Sequence, residues 1–180
     1  MTNLLIVSHC ILNYAAKVRQ DETALAEEYK ERAALLRMAL RKDVQFLQLP
    51  CPEFLLYGPR RWGHVKDQFQ HPYFRSRCRE MLVSILDQIE SYLGVPSEYK
   101  VLGIISVEGS PSCGGHLTCR GEWGGELSGD PVALHAIVDR LIMVQEPGVM
   151  MEILAAEMAI RGLDVPILTM KEATALLRTL

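Results

Sequence analysis

Three cysteines each stand just past a short apolar run of the kind that makes a buried parallel strand: Cys10 after Leu4 to Val7, Cys51 after Val44 to Leu49, and Cys113 after Val101 to Val107. In open α/β sheets the ligand crevice lies beyond the carboxyl ends of the strands, so thiols far apart in sequence meet there. Thiolates are soft metal ligands. Structural zinc gathers four ligands, often through close C-x-x-C pairs, and no such pair is present. Three separate thiolates fit an iron–sulfur cluster with one iron left open better. The alternative for the same residues is plain burial, since cysteine is among the most buried residue types.

Residues near these thiols carry further chemistry. Glu53 lies two positions after Cys51 in Pro50-Cys51-Pro52-Glu53. Buried beside apolar Phe54 and Leu55, it would hold a transferable proton; equally, it is a carboxylate that accepts loop N–H bonds. Ser110 and Ser112 flank Cys113, and Ser8 lies near Cys10, either as working hydroxyls or as small residues suited to tight turns. Tyr57, Trp62 and Trp123 are candidates for stacking on a planar heterocycle, or for loop packing. Arg60 and Arg61 are suited to a carbonyl or a phosphate, or form a solvated surface pair. Cys119 is a fourth ligand, a sulfur relay or a loop thiol of no metal role. Cys78 belongs to a core stripe. The five histidines, His9, His64, His71, His116 and His135, form no metal-ligand spacing.

The elements that must position these residues follow from periodicity. Residues 21–41 carry Leu25, Tyr29, Ala33, Leu36 and Leu40 at helical spacing, with acids at the start and bases at the end. Residues 73–93 repeat the pattern with Phe74, Cys78, Met81, Leu82, Ile85 and Ile89, and Gly94 is a stop signal. Gly114 to Gly125 has no periodicity and reads as a loop. Asp130-Pro131 opens a third helix with Leu134, Ile137, Val138, Leu141 and Ile142 as its apolar face. Pro147 opens a fourth, ending near Gly162; Val165 to Leu168 is a short strand, and Thr169 with Glu172 has the capping-box spacing of a terminal helix. This alternation predicts a single α/β domain over 1–180, Rossmann-like or flavodoxin-like, with a mostly parallel sheet of about four strands and helices on both faces.

Composition bounds the rest. The chain has 180 residues, 49% of them hydrophobic, enough for one sizeable core. A net charge of -3, with both signs interspersed, leaves no footprint for duplex nucleic acid. No run approaches the roughly 20 apolar residues of a membrane span, and the N-terminus lacks a signal h-region. Five cysteines, an odd number, argue against a disulfide framework and for a reducing, cytoplasmic setting.

Taken together, Ile6-Val7-Ser8-His9-Cys10-Ile11-Leu12-Asn13, Leu49-Pro50-Cys51-Pro52-Glu53 and Gly109-Ser110-Pro111-Ser112-Cys113-Gly114 resemble the thiouracil desulfurase family, in order and spacing up to about residue 125. In that family three cysteines bind a 4Fe-4S cluster whose fourth iron takes the sulfur of a thiolated base, and a nearby Glu and Ser assist. The resemblance implies Cys10, Cys51 and Cys113 as ligands, with Glu53 and Ser110 or Ser112 as helpers. The chain departs from the family where Ile11-Leu12-Asn13 replaces a Leu-Leu-Gly-like turn followed by Arg-Tyr-Asp, and where Phe54-Leu55-Leu56-Tyr57-Gly58 replaces a double glycine. These changes line the expected pocket, so the chain looks like a divergent branch whose cluster carries over better than its substrate.

The expectation is a cluster-dependent desulfidase that removes sulfur from a small thiocarbonyl compound, such as a thiolated pyrimidine base or nucleoside, by non-redox C–S cleavage releasing sulfide. Its rival is a non-catalytic iron–sulfur or persulfide carrier completed by Cys119. A third reading is a flavodoxin-like small-molecule binder with buried cysteines and no metal.

Overall fold

The computed structural model describes residues 1–126 and 130–180. Its centre is a four-stranded parallel sheet of β1 (Thr2–Val7), β2 (Gln45–Gln48), β3 (Tyr99–Ile105) and β6 (Ile167–Leu168), in the order β2-β1-β3-β6. The register pairs Val7 with both Gln48 and Ile105, and Ile105 with Leu168, so all four strands end at one level. The chain leaves β1 towards β2 on one side and β3 towards β6 on the other. The reversal between β1 and β3 is where a crevice opens in such sheets.

Helices cover both faces. The long helix α2 (Glu22–Arg41) packs on α8 (Met170–Thr179), and α5 (Pro72–Leu93) packs on α7 (Val149–Arg161). The α5 stripe is buried as its spacing predicts, at Phe74, Cys78, Leu82 and Ile89, joined by Leu86. Fully buried side chains of this size each contribute about 1.5–3 kcal/mol. The α7 helix ends at Gly162, whose φ of 67° is the left-handed conformation that glycine adopts without a Cβ penalty. At the start of α8, Thr169 and Glu172 form the reciprocal capping box.

Two expectations require correction. On α2 the buried positions are Leu35 and Ala39, while Tyr29 and Leu40 are exposed. The stripe is turned because polar groups on the adjoining face are engaged: Arg32 donates to the Ile11 and Leu12 carbonyls at 2.5 and 3.1 Å, Glu28 pairs with Lys17, and Glu31 with Lys171. The third helix, α6, is shorter than its apolar pattern suggests, Pro131–Val138, and has no buried residue. Ile142 instead begins β5 (Ile142–Val144), which pairs antiparallel with β4 (Thr118–Arg120), inside the segment read as a loop. An apolar run spaced by three and four across a turn at Asp139-Arg140 mimics one continuous helix.

Arg120 secures this small sheet. It reaches Asp67 of α4 (Lys66–Phe69) at 2.7 Å and Glu146 at 3.1 Å. The ammonium of Lys66, 3% exposed, lies 3.4 Å from Glu146 and 3.3 Å from Glu152. Among the described residues no helix is long and apolar enough to cross a membrane.

Candidate functional site

Each of the three cysteines is placed by a different local device at the level end of the sheet. Cys10 is the second residue of α1 (His9–Leu12), a single turn entered directly from β1. Cys51 is the N-cap of α3 (Pro52–Tyr57), where its Sγ accepts the Phe54 N–H at 3.4 Å and Pro52 fills the first helical position, which needs no donor. Cys113 lies in a loop closed by backbone bonds, Val107 N–H to the Cys113 carbonyl at 2.9 Å and Gly114 N–H to the Ser110 carbonyl at 3.1 Å. That loop also caps another helix. The carbonyls of Gly114, Pro111 and Ser112 accept the N–H groups of Gly148, Val149 and Met150 at 2.8, 2.9 and 3.0 Å, the orphan donors at the start of α7.

All three thiols line one cavity of about 280 Å³, together with Glu53, Arg61 and Ser112. Burial pushes the Cys10 thiol up to about 11 and also raises Cys51, against the Phe54 N–H that favours its thiolate. Cys113 is raised well above its ordinary value, first by burial and then by the charges that Cys51 and Cys10 would carry. Charge on Cys51 would thus raise both of the other thiols. Among the described residues no group of three or more His, Cys, Asp or Glu is placed to hold a metal ion.

Glu53 is 6% exposed and lies at the centre of a polar network. Its Oε1 accepts the Ser112 hydroxyl at 2.5 Å and the Ser110 hydroxyl at 3.5 Å, and its Oε2 accepts the Arg61 Nε–H at 3.4 Å. Of the apolar neighbours expected beside it, Leu55 is instead 60% exposed. The two serines differ in work. Ser110 Oγ accepts the N–H groups of Ser112 and Cys113 at 3.3 and 3.0 Å and so shapes the loop, whereas Ser112 Oγ bridges Glu53 Oε1 and Cys113 Sγ, the latter at 3.4 Å.

The remaining candidates lie elsewhere. Ser8 is fully buried and donates to the Ile105 carbonyl at 2.9 Å, tying β1 to β3 rather than facing the cavity. The Tyr57 ring packs on His64 and Phe69, with centroids 4.9 and 6.0 Å away. Arg60 and Trp62 are exposed and off the cavity wall, and Trp123 donates its Nε1–H to the Gly63 carbonyl at 3.0 Å. Cys119 sits on β4, half-buried and outside the cavity lining. Cys78 is wholly buried in α5 and pushed up to about 12 by burial.

Of the Arg60-Arg61 pair, Arg60 is the member expected at the substrate, whereas Arg61 is the one on the cavity wall. The left-handed Gly58, φ 73°, followed by Pro59, turns the chain back and sends Arg61 inward; that Gly-Pro step was the available signal. Lys17 and Glu28, paired at 2.6 Å on the cavity wall, had no such signal, since only the fold unites them. Glu108, also on the wall, holds the turn after Cys113 by accepting the Gly115 N–H at 3.0 Å and the Ser106 hydroxyl at 2.7 Å.

No family model and no solved structure matches the chain. An uncharacterized protein of Methanocaldococcus jannaschii is 32% identical to it over 108 residues, 60% of this chain and 65% of that protein. The aligned stretch thus spans just under two thirds of the relative's length.

Proposed function

We propose that the chain is an iron–sulfur-dependent desulfidase of the cytoplasm that converts a small thiocarbonyl compound, a thiolated pyrimidine base or nucleoside, to the corresponding carbonyl. The observation that carries this reading is the convergence of Cys10, Cys51 and Cys113, from three strand ends, on one cavity whose wall also holds the engaged carboxylate of Glu53. The donor set fits the group: three thiols, soft once deprotonated, match iron and sulfide better than the His64 imidazole that lines the same cavity. A cluster spreads its ligands over several irons, so it does not require the close grouping of a single-ion centre.

Cys10, Cys51 and Cys113 would hold a 4Fe-4S cluster. Bound there, it would supply a soft Lewis acid for the thiocarbonyl sulfur, leaving the carbon beside it electron-poor. The side chains do the rest. Glu53 accepts a proton from the water that attacks this carbon and returns one to the departing sulfur, so that thiocarbonyl and water become carbonyl and hydrogen sulfide with no net oxidation. The Ser112 hydroxyl on Oε1 and the Arg61 guanidinium on Oε2 fix the carboxylate during that exchange. The Lys17–Glu28 pair neutralises one flank of the cavity, which suits an uncharged heterocycle.

The test is anaerobic reconstitution with iron and sulfide counting, followed by addition of 2-thiouracil or sulfide to the wild type and to Cys119→Ser. The desulfidase reading expects a spectral response in both proteins, and release of sulfide and uracil from 2-thiouracil. A response confined to Cys119→Ser would favour the carrier, and a protein that takes up no iron would remove both.

A further inference from the structure

Arg61 binds two segments of the chain at three points with one side chain, 4% exposed, on the cavity wall. Its Nη2–H donates to the Ala16 carbonyl at 2.8 Å, its Nη1–H to the Gly58 carbonyl at 3.4 Å and its Nε–H to Glu53 Oε2 at 3.4 Å. Ala16 ends the 3-10 turn Tyr14–Ala16 that follows the Cys10 helix, and Gly58 is the C-cap of the helix that Cys51 begins. The short Ala16 bond pins the guanidinium to the Cys10 segment, and the fork then presents Nε to a carboxylate on the Cys51 segment. A buried guanidinium loses its hydration and persists only where charge and acceptors replace it. Among the described residues the carboxylate it pairs with is Glu53.

We infer that Arg61 is the positioning residue of the site: it sets the Glu53 carboxylate at a fixed place relative to the Cys10 and Cys51 segments and acts on the reaction only through Glu53. This rests on the desulfidase reading for its kinetic consequence, but not for its structural one. The planar fork is essential, because a lysine keeps the charge yet cannot reach three acceptors in three directions at once. Glu53 would then drift, and sub-ångström misplacement of a proton-transfer group is costly to rate without changing what binds.

The experiment is a double-mutant cycle of Arg61→Gln, Arg61→Lys and Glu53→Gln, read in two ways: kcat and KM for 2-thiouracil on reconstituted protein, and Tm on cluster-free protein. Iron content should match the wild type in every variant. Both Arg61 variants should lower kcat by roughly tenfold or more with KM little changed, Lys less than Gln. In the Glu53→Gln background, Arg61→Gln should change kcat by no more than about twofold. The Tm losses of the two single variants should likewise exceed that of the double when summed. Additive kcat losses, unchanged turnover in Arg61→Gln, or loss of iron from both Arg61 variants would overturn the assignment while the desulfidase reading stood. A wild type that loads iron but does not turn over 2-thiouracil would instead count against that reading, and the Tm cycle alone would then decide for Arg61 if coupled and against it if additive.

Discussion

Ser112 donates its hydroxyl to Glu53 Oε1 at 2.5 Å across 59 residues of sequence, and the same oxygen stands 3.4 Å from Cys113 Sγ. One hydroxyl thus joins the carboxylate of the second cysteine loop to the thiol of the third. Ser110, two residues earlier, makes only the longer 3.5 Å bond to Glu53 Oε1 and also accepts the Ser112 and Cys113 N–H groups.

Ser112→Ala and Ser110→Ala should therefore fail differently. The first removes a bond to a charged group but leaves the loop's backbone bonds in place, so iron content should hold while turnover falls by ~10²-fold, the scale of a compromised acid–base group. The second leaves the Ser112 and Cys113 N–H groups without their acceptor, costing about 1–3 kcal/mol. Its signature should be a lower Tm and weaker iron retention. Equal iron loss in both variants would refute this division.

On the proposed reading, replacing Cys10, Cys51 or Cys113 singly with Ser should abolish the brown colour after anaerobic reconstitution, because each would supply one of three protein bonds to the cluster. Cys78→Ser should keep full iron content and lose about 1–3 kcal/mol of stability, since a hydroxyl then sits unpaired in the core. Iron counting and thermal melts on the same four proteins check both statements.

Gly148→Ala tests the contact between the Cys113 loop and α7. A Cβ at this position would stand 2.6 Å from the Ser112 carbonyl carbon and 2.8 Å from the Ser110 carbonyl oxygen, backbone atoms that cannot swing aside. Overpacking of this kind costs typically ~1–3 kcal/mol, and each kcal/mol lowers Tm by about 2–4 °C in a chain of this size. The loop should shift with it, so iron binding should weaken although no ligand has been touched.

The charged lattice around Lys66 sets an acid limit. Burial alone would raise Glu152, but hydrogen bonds and charge from Arg75 and Lys66 outweigh it and hold the carboxyl below its ordinary 4.5. Asp67 is held below its ordinary 3.8, chiefly by its hydrogen bond to Arg120. Groups lowered in the folded state bind protons more readily when unfolded. Their stabilisation is thus complete above those ordinary values and is lost as pH falls through the lower folded ones. Tm should drop below pH 4.5, and Arg120→Gln should make that drop shallower because Asp67 then keeps only backbone N–H groups, that of Gly121 among them, as stabilising partners of its charge.

Much of this was legible in the sequence. The strand, helix and cap signals around β1, α5, α7 and α8 are local, and local interactions dominated there. The α2 stripe was not, because Tyr29 and Leu40 match helical spacing as well as Leu35 and Ala39 do, and only the polar partners of Glu28, Glu31 and Arg32 orient the helix. The β4–β5 pair escaped for a similar reason: three-residue strands carry too little alternation to register. At the site, proximity to a cysteine in sequence proved a good guide for Glu53 and Ser112 but a poor one for Ser8, whose hydroxyl faces a neighbouring strand. Tyr57, Arg60 and Trp62 were proposed from residue type alone, and side-chain direction after Gly58 sent Arg61 inward in their stead.

The carbonyls of the Cys113 loop find their donors at Gly148, Val149 and Met150. The order of synthesis on the ribosome therefore differs from the order in which the site becomes competent. A nascent chain that has emerged as far as Glu146 carries every thiol of the cavity but none of the α7 amides that brace the third loop from outside. Metal delivered at that stage would meet two settled thiols and one on a loop without its clamp. On the proposed cluster reading, a fragment cut just before Gly148 should take up iron poorly despite containing all three cysteines.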